Sequence, residues 1–228
     1  MTQHPKAILF GSVGSLIESS EMQRESFNQA FDEAGLDWKW ENEPYREMLK
    51  KCGGEKRIVE YARSRGETVD AKAIHDRKTE IFNEKLLASG KGLRPGVDQV
   101  IDYARDNNIK LGFVSSTEPR NIDSMMQAME PALSREDFSV ITSRELVSEG
   151  KPSPEVYEFA LNQLGVSADE VVAIEDSSPS LQSAANAGVR CVAFPGYNCR
   201  EQDYSLASHV AGDSLSLDMI SSREALPA

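Results

Sequence analysis

Five short apolar segments, separated by helical patterns, constrain the fold of this chain more than any other feature. Apolar segments of this length that are bounded by turn residues are typical of buried parallel strands. Strands that alternate with amphipathic helices predict an α/β fold. The sequence therefore predicts a Rossmann-like, doubly wound parallel sheet. Its strands are expected at residues 7–10, 110–115, 138–142, 171–174 and 191–194.

The connection between the first two predicted strands differs from the others. Residues 18–91 show only helical periodicity, with apolar side chains three and four positions apart. Pro95 and Gly96 then break the helix where the chain would return to the sheet. We therefore expect a helical cap at residues 18–91, inserted into an α/β core that comprises residues 1–17 and 92–228.

The charge of the chain narrows the choice of partners. Among its 228 residues, 37 are acidic and 25 are basic, which gives a net charge of -12. Such a surface repels nucleic acid and anionic membranes, so we expect neither as a partner. No apolar run reaches the length of a membrane span, and the N-terminus lacks the pattern of a signal peptide. These features predict a cytoplasmic protein.

Cysteine and histidine are too few and too scattered for the sites that they commonly form. Cys52, Cys191 and Cys199 match neither a zinc-site spacing nor a redox pair, so we expect free thiols. The three histidines lie far apart in the sequence and offer little for a metal site or a Ser-His-Asp triad. We therefore expect neither class of site.

Polar residues follow two of the predicted strands, at the edge where an open parallel sheet binds ligands. Ser115 and Ser116 end the second strand, and Glu175 and Asp176 follow the fourth. Each pair also has a simpler interpretation. Hydroxyls at a strand end cap the following helix, and acidic residues are favoured at a helix N-terminus. Neither pair identifies a function by itself.

Lys151 lies in a more specific string, Gly150-Lys151-Pro152-Ser153-Pro154. A lysine that flanking prolines hold rigid can place its ammonium beside a phosphoryl group and offset the negative charge. A surface turn with proline at the first helical position is the other interpretation. That interpretation does not require a lysine before the prolines.

The strings around Ser115, Lys151 and Asp176, and their order along the chain, resemble the motifs of the haloacid dehalogenase (HAD) superfamily. The family transfers phosphoryl groups at the strand-end edge of such a sheet and uses Mg²⁺. The resemblance implies phosphate binding by Ser115, Ser116 and Lys151. The Mg²⁺ ligands that it implies are Asp176, Glu175 and the backbone carbonyl of Val13.

The chain departs from this resemblance in the first motif of the family, at the tip of the first strand. That motif reads Asp, any residue, Asp, Gly, Thr, Leu, and its carboxylates act as nucleophile and as general acid and base. Gly11 and Val13 stand at the two catalytic positions and can do neither. Loss of a nucleophile lowers turnover about a millionfold, from a typical rate of about ten per second to roughly one per day. Mg²⁺ is expected to bind weakly or not at all.

Within the superfamily, the chain looks most similar to CbbY-like sugar-phosphate phosphatases, relatives of β-phosphoglucomutase. The similarity lies in the cap, at residues 37–38, 44–49, 53–58 and 74–79. Such proteins dephosphorylate a pentose bisphosphate that inhibits carbon fixation, so the resemblance implies that Lys56 or Arg57 reaches a distal phosphate. A solvated helix start is the other interpretation of these two residues. Further departures from the family are Ser15, Gln23, Glu55 and Ser180.

Three functions are compatible with this pattern. The first is a pseudoenzyme of the HAD fold, inactive or strongly impaired, that keeps a pocket for a small phosphorylated metabolite. The second is an active Mg²⁺-dependent sugar-phosphate phosphatase with an unorthodox nucleophile. Its nearest candidate groups are Ser12, Ser15, Glu18 and Glu21. The third is a protein kept for an interaction surface, with an empty pocket. The absent carboxylates favour the first over the second, and the three other motifs favour it over the third.

Overall fold

A six-stranded parallel sheet forms the centre of the protein in the computed structural model, which describes residues 4–221. Its strands are β1 (Ala7–Phe10), β2 (Lys110–Val114), β3 (Phe138–Thr142), β4 (Val171–Glu175), β5 (Arg190–Ala193) and β6 (His209–Val210). Their order across the sheet is β3-β2-β1-β4-β5-β6. This arrangement confirms the predicted Rossmann-like α/β fold, and each predicted strand lies within one residue of its observed ends. The sequence does not predict β6, because a two-residue strand carries no periodic signal.

Helices cover both faces of the sheet and fill the connection between β1 and β2. They are α1 (Val13–Leu16), α2 (Ser20–Glu33), α3 (Asn42–Met48), α4 (Gly54–Arg65), α5 (Ala71–Ala88), α6 (Val97–Asp106), α7 (Pro119–Met129), α8 (Glu155–Leu164), α9 (Ser178–Asn186) and α10 (Leu217–Ser221). We call α2 to α5 the helical insertion; the cap boundaries expected from the sequence stay predictions. Over residues 4–221, none of the helices has the length and apolar character needed to cross a membrane.

The two faces of the sheet bury separate apolar clusters. In β1, Ile8 and Phe10 pack with α6 and α7 on one face, whereas Ala7 and Leu9 pack with α8 and α9 on the other. All four side chains are fully buried. Strands that are covered on both faces read as continuous apolar runs rather than as an alternating pattern. This double burial explains why β1, β2, β4 and β5 stand out in the sequence, whereas β3, at the edge of the sheet, alternates between buried and exposed residues.

The helical insertion has an apolar cluster of its own, rich in aromatic residues. The ring of Trp40 lies 4.7 Å from those of both Phe27 and Phe31, measured between centroids. Aromatic pairs at this separation add stability beyond the area that they bury. Met22 and Phe82 belong instead to a cluster under the sheet, so α2 and α5 pack against both parts of the protein.

Lys78 is a buried cation inside the helical insertion. Its ammonium lies 4.7 Å from the ring centroid of Phe27 and 5.2 Å from that of Phe82, and it donates a hydrogen bond to the side-chain oxygen of Gln23. No carboxylate forms an ion pair with it in the described part of the chain. Burial, with a contribution from the nearby Arg57 guanidinium, lowers the pKa of Lys78 from 10.5 to about 7.

We expect the free energy of unfolding to rise with pH above about 7, the folded-state pKa of Lys78. In this range the unfolded chain keeps the proton on Lys78 and the folded chain has lost it, so the unfolded state binds more protons. Stability then increases by up to about 1.4 kcal/mol per pH unit, until the unfolded lysine also titrates. Urea denaturation between pH 7 and pH 10, on the wild type and on Lys78→Met, measures this slope. An equal slope in both proteins would exclude Lys78 as its source.

Candidate functional site

The parallel register brings the ends of three strands to one edge of the sheet. Phe10 at the end of β1 pairs with Phe113 of β2 on one side and with Ile174 of β4 on the other. The chain leaves β1 toward β2 and β3 and later returns to β4 on the opposite side, so this edge is the topological switch point. Open α/β sheets bind their ligands at such a point. Gly11, which follows β1, and Glu175, which ends β4, are therefore neighbours.

Lys151 joins these two residues in a buried ion pair. Its Nζ donates to the backbone oxygen of Gly11 and to Oε1 of Glu175, each at 2.6 Å. The side chain of Lys151 is 5% exposed and that of Glu175 is fully buried. The Tyr157 hydroxyl on α8 donates to the same Oε1 at 2.5 Å. The second oxygen, Oε2 of Glu175, is buried and has no hydrogen-bond partner.

The two glycines of the loop after β1 leave room for two acidic side chains. A Cβ atom at Gly11 would lie 2.0 Å from the carboxyl carbon of Glu175, and one at Gly14 would lie 1.8 Å from Oδ2 of Asp176. Both distances are far shorter than any real contact of a Cβ atom. The carboxylate of Glu175 therefore fills the space that a side chain at position 11 would take.

The acidic side chains at this edge are strongly desolvated. Burial raises the pKa of Glu175, and the nearby Asp176 raises it further, while the Lys151 ammonium opposes both effects. Burial also raises the pKa of Asp176, against the nearby Ser12 hydroxyl and the charge of Lys151. Low-dielectric surroundings disfavour the charged form of a carboxyl group. Lys151 is thus the main group that favours the ionised form of Glu175, against burial and the charge of Asp176.

The hydroxyl of Ser115 bonds within the loop before α7 and does not cap that helix, which has no side-chain cap among the described residues, and it keeps a donor for a ligand. Its Oγ accepts a hydrogen bond from the backbone N–H of Thr117 at 3.2 Å. A hydroxyl has one donor and two acceptor lone pairs, so this bond leaves its proton free. The backbone N–H of Ser115 donates to Oγ1 of Thr142 at 2.9 Å, which fixes the strand end. Ser116 lies beside Gly150, the residue before Lys151.

A cavity of about 940 Å³ lies between the helical insertion and the Lys151 loop. Lys56 and Arg57, both expected to reach a ligand, line this cavity but differ in environment. Arg57 donates to the backbone oxygens of Met48 and Lys51, at 3.2 and 3.0 Å, and so braces the loop before α4. Lys56 is exposed and forms no ion pair within residues 4–221. Lys56 is thus available to a ligand, whereas two donors of Arg57 are committed to the fold.

The cavity is basic although the chain as a whole is acidic. The basic side chains that line it are Lys50, Lys51, Lys56, Arg57, Arg144 and Lys151. The acidic ones are Glu47, Glu60 and Glu149. Six basic against three acidic side chains give the lining an excess of positive charge, and a cleft with such an excess concentrates anions. This cavity therefore suits an anionic ligand.

Two residues that support the site are not found by sequence reasoning. Tyr157 lies in the string that follows Lys151, but its bond to Glu175 depends on how α8 packs against the sheet. Arg94 is buried and donates to the backbone oxygens of Gly14 and Phe194 at 2.8 and 2.7 Å. Arg94 thus connects α1 to the end of β5. No sequence motif indicates a buried arginine with this role.

The residues at this edge do not fit Mg²⁺ as they are arranged. Gly11 contributes no carboxylate, and the carboxylate of Glu175 is bonded to Lys151 and Tyr157 instead of facing a cation. Asp176 and the carbonyl of Val13 are the remaining oxygen donors implied by the resemblance. Over residues 4–221 there is no group of three or more His, Cys, Asp or Glu side chains that could hold a metal ion. Magnesium prefers several oxygen ligands at near-octahedral positions.

Comparison with known proteins identifies the family of this chain. The sequence profile described as haloacid dehalogenase-like hydrolase matches residues 8–194. The protein CbbY of Cereibacter sphaeroides is 37% identical over 209 residues, which cover 90% of each chain. CbbY of Rhodobacter capsulatus is 37% identical over 206 residues, covering 89% of this chain and 90% of the relative.

A solved structure agrees with these relatives. The crystal structure of CbbY from Rhodobacter sphaeroides in complex with phosphate has a TM-score of 0.82 and 35% identity to this chain. The match covers 91% of this chain and 93% of the CbbY chain. Both the sequence and the fold therefore point to one family. The chain belongs to the haloacid dehalogenase-like hydrolases and is a homologue of the CbbY-like phosphatases.

Proposed function

We propose that this CbbY-like phosphatase homologue binds a small phosphorylated metabolite and hydrolyses it extremely slowly or not at all. One observation carries the proposal. The carboxylate of Glu175 fills the space beside Gly11, where the nucleophile would stand, while Lys151 keeps its place at the same edge. The family generally uses Mg²⁺. We propose that its binding is weakened here, because the acidic groups that would hold the ion are missing or paired with Lys151.

Three of the four candidate replacements for the nucleophile, Ser15, Glu18 and Glu21, are engaged in other contacts, which argues against an active enzyme. The hydroxyl of the fourth, Ser12, is buried without a hydrogen-bond partner in the described part of the chain. The hydroxyl of Ser15 is buried and donates to the backbone oxygen of Ser12 at 2.7 Å. The carboxylate of Glu18 accepts the backbone N–H groups of Ser20 and Tyr197, at 3.0 and 2.9 Å. Both side chains are therefore held by backbone groups, and neither contact provides a base that would activate the Ser15 hydroxyl.

The Glu21 carboxylate is equally unavailable. It forms an ion pair with Arg24 and accepts a hydrogen bond from the side-chain amide of Asn198 at 3.2 Å. The hydrogen bond from Arg24, opposed in part by burial, lowers the pKa of Glu21. A carboxylate held in this way stabilises the start of α2. It is not directed at the Lys151 edge.

The class of ligand follows from the relatives and from the charge of the cavity. Another structure of CbbY from Rhodobacter sphaeroides, an aspartate-to-asparagine variant, contains xylulose 1,5-bisphosphate and matches this chain with a TM-score of 0.82. The basic cavity joins the Lys151 edge to Lys56 on the helical insertion. We therefore propose a phosphorylated sugar, with one phosphate near Lys151 and Ser115 and a second near Lys56. The cytoplasmic location and the lack of a nucleic-acid partner stay predictions from sequence and charge.

Lys56→Ala is expected to weaken binding of xylulose 1,5-bisphosphate about tenfold, because a charge-assisted hydrogen bond to an exposed phosphate contributes about 1.5 kcal/mol. Binding of inorganic phosphate should change little. Arg57→Ala should act differently and lower the free energy of unfolding by about 1 kcal/mol, since it removes two hydrogen bonds to backbone oxygens that are not fully buried. Calorimetric titration and urea denaturation measure the two effects. Lys39→Ala, an exposed lysine outside the cavity lining, is the matched control.

The binding function itself is tested by titrating the purified protein with inorganic phosphate, xylulose 1,5-bisphosphate and an unphosphorylated pentose, in EDTA. We expect saturable binding of the two phosphorylated compounds only. Failure of both to bind at millimolar concentration would refute the proposal. A protein kept for its interaction surface alone would then be the better account.

A further inference from the structure

The carboxylate of Glu175 occupies a place that depends on the glycine at position 11. Its carboxyl carbon lies 2.0 Å, and its oxygens 2.0 and 2.2 Å, from the point where a Cβ atom of residue 11 would stand. No other amino acid fits at position 11 while Glu175 keeps this conformation. The loss of the first catalytic carboxylate and the present position of Glu175 are thus sterically linked.

The carboxylate of Glu175 also neutralises the charge of the Lys151 ammonium. The ammonium has three donors, and Glu175 and the backbone oxygen of Gly11 use two of them. The ion pair is buried, so the solvent screens it little. A phosphate that approaches this edge therefore meets a single remaining donor on a cation that is already neutralised.

The carboxylate of Glu175 also lacks part of its hydrogen bonding. Oε1 accepts bonds from both Lys151 and Tyr157, whereas Oε2 is buried without any partner. An unpartnered buried oxygen lowers stability, so the Lys151 ammonium is what holds the carboxylate in place. An external anion that bound Lys151 would therefore have to compete with Glu175 for the ammonium.

We propose that Glu175 is an internal anion that competes with the phosphoryl group of a ligand for the Lys151 ammonium. The inference rests on the proposed function, since it concerns the affinity of the same pocket. Glu175 thereby sets a low affinity for inorganic phosphate and other simple oxyanions. Removing its charge, or pushing it away from Lys151, strengthens their binding in the absence of any metal.

The test measures the dissociation constant of inorganic phosphate by calorimetry, in EDTA and at fixed ionic strength. Glu175→Gln keeps the shape of the side chain and removes its charge, so phosphate should bind at least tenfold more tightly than to the wild type. Glu158→Gln removes an exposed carboxylate elsewhere and should leave the affinity unchanged. Circular dichroism and thermal melting establish that each variant is folded.

A second variant reaches the same result by a different route. Gly11→Ala introduces the Cβ atom that Glu175 cannot tolerate, so the carboxylate must move and phosphate affinity should again rise. Gly212→Ala is the matched control, because a Cβ atom there meets nothing within 4 Å. If Glu175→Gln does not fold, this second pair decides the question.

The outcomes separate this inference from the function on which it rests. Tighter binding in the folded variants, with both controls unchanged, supports it. If the wild type binds phosphate and folded Glu175→Gln or Gly11→Ala binds it equally or more weakly, Glu175 merely positions Lys151 and the inference is wrong. If neither the wild type nor any variant binds phosphate, the inference is wrong, whereas the proposed function fails only if xylulose 1,5-bisphosphate does not bind either.

Discussion

The double change Gly11→Asp with Val13→Asp is expected to raise hydrolysis of a sugar phosphate at least a thousandfold above the wild-type rate. The two substitutions restore the nucleophile and the acid and base of the family, while Ser115 and Lys151 already stand at the same edge. The loss of a nucleophile is worth about a millionfold in turnover, so a thousandfold gain is a partial recovery. Complete recovery is not expected, because other positions also depart from the family.

In the double aspartate variant, the side chain of Glu175 has to move, because a side chain at position 11 collides with the carboxylate of Glu175 in its present position. The two new carboxylates add oxygen donors at the edge where Asp176 lies, and Mg²⁺ affinity should rise together with activity. Val13 is only 7% exposed and packs in an apolar cluster, so an aspartate there also lowers stability.

Phosphate release and Mg²⁺ titration on the same preparations measure the reversal. Neither single change should suffice, because nucleophile and general acid act as a unit and their effects are not additive. The double variant Gly11→Ala with Val13→Ala is the control for steric disturbance. A folded double aspartate variant that gained neither activity nor Mg²⁺ affinity would show that the pocket has been altered beyond its first motif. An interaction role would then be favoured.

Lys151→Ala is expected to lower the free energy of unfolding by about 3–5 kcal/mol, the usual effect of removing one partner from a buried ion pair. The reason is that Glu175 is fully buried and loses its cation. Tyr157→Phe removes one hydrogen bond from the same carboxylate and should have a smaller effect, about 1–2 kcal/mol. Urea denaturation measures both.

The double variant Lys151→Met with Glu175→Leu tests whether the ion pair is the cause. Replacing both charged groups with apolar residues of similar volume is often neutral. We therefore expect the double variant to be more stable than Lys151→Ala by about 2 kcal/mol or more. A Lys151→Ala protein within about 1 kcal/mol of the wild type would be incompatible with a strong buried pair.

The fold could be predicted from the sequence because the sheet is covered on both faces. Double burial makes β1, β2, β4 and β5 largely apolar runs, whereas the edge strand β3 alternates between buried and exposed residues. The alternation of the strands with helices leaves few topologies. The location of the site follows from that topology, since the ends of parallel strands meet at the switch point. Ser115 and Glu175 could therefore be placed near one another without a structure.

The contacts within the site could not be predicted in the same way. The pairing of Lys151 with Glu175 depends on side-chain conformations and on the space beside Gly11, neither of which follows from periodicity. The sequence also left two interpretations of Arg57 open: contact with a ligand, or a solvated position at the start of a helix. The structure shows a third arrangement, in which Arg57 braces backbone oxygens. The partners of such side chains depend on packing between segments that lie far apart in the sequence.

The most direct test of this account is phosphate release from sugar mono- and bisphosphates by highly purified wild-type protein in saturating Mg²⁺. The absence of both catalytic carboxylates predicts a turnover of roughly one per day or less. Lys151→Ala, purified in the same way, distinguishes intrinsic activity from a contaminating phosphatase. Linear release near about ten per second, abolished by Lys151→Ala, would contradict the central claim that this protein has lost catalysis.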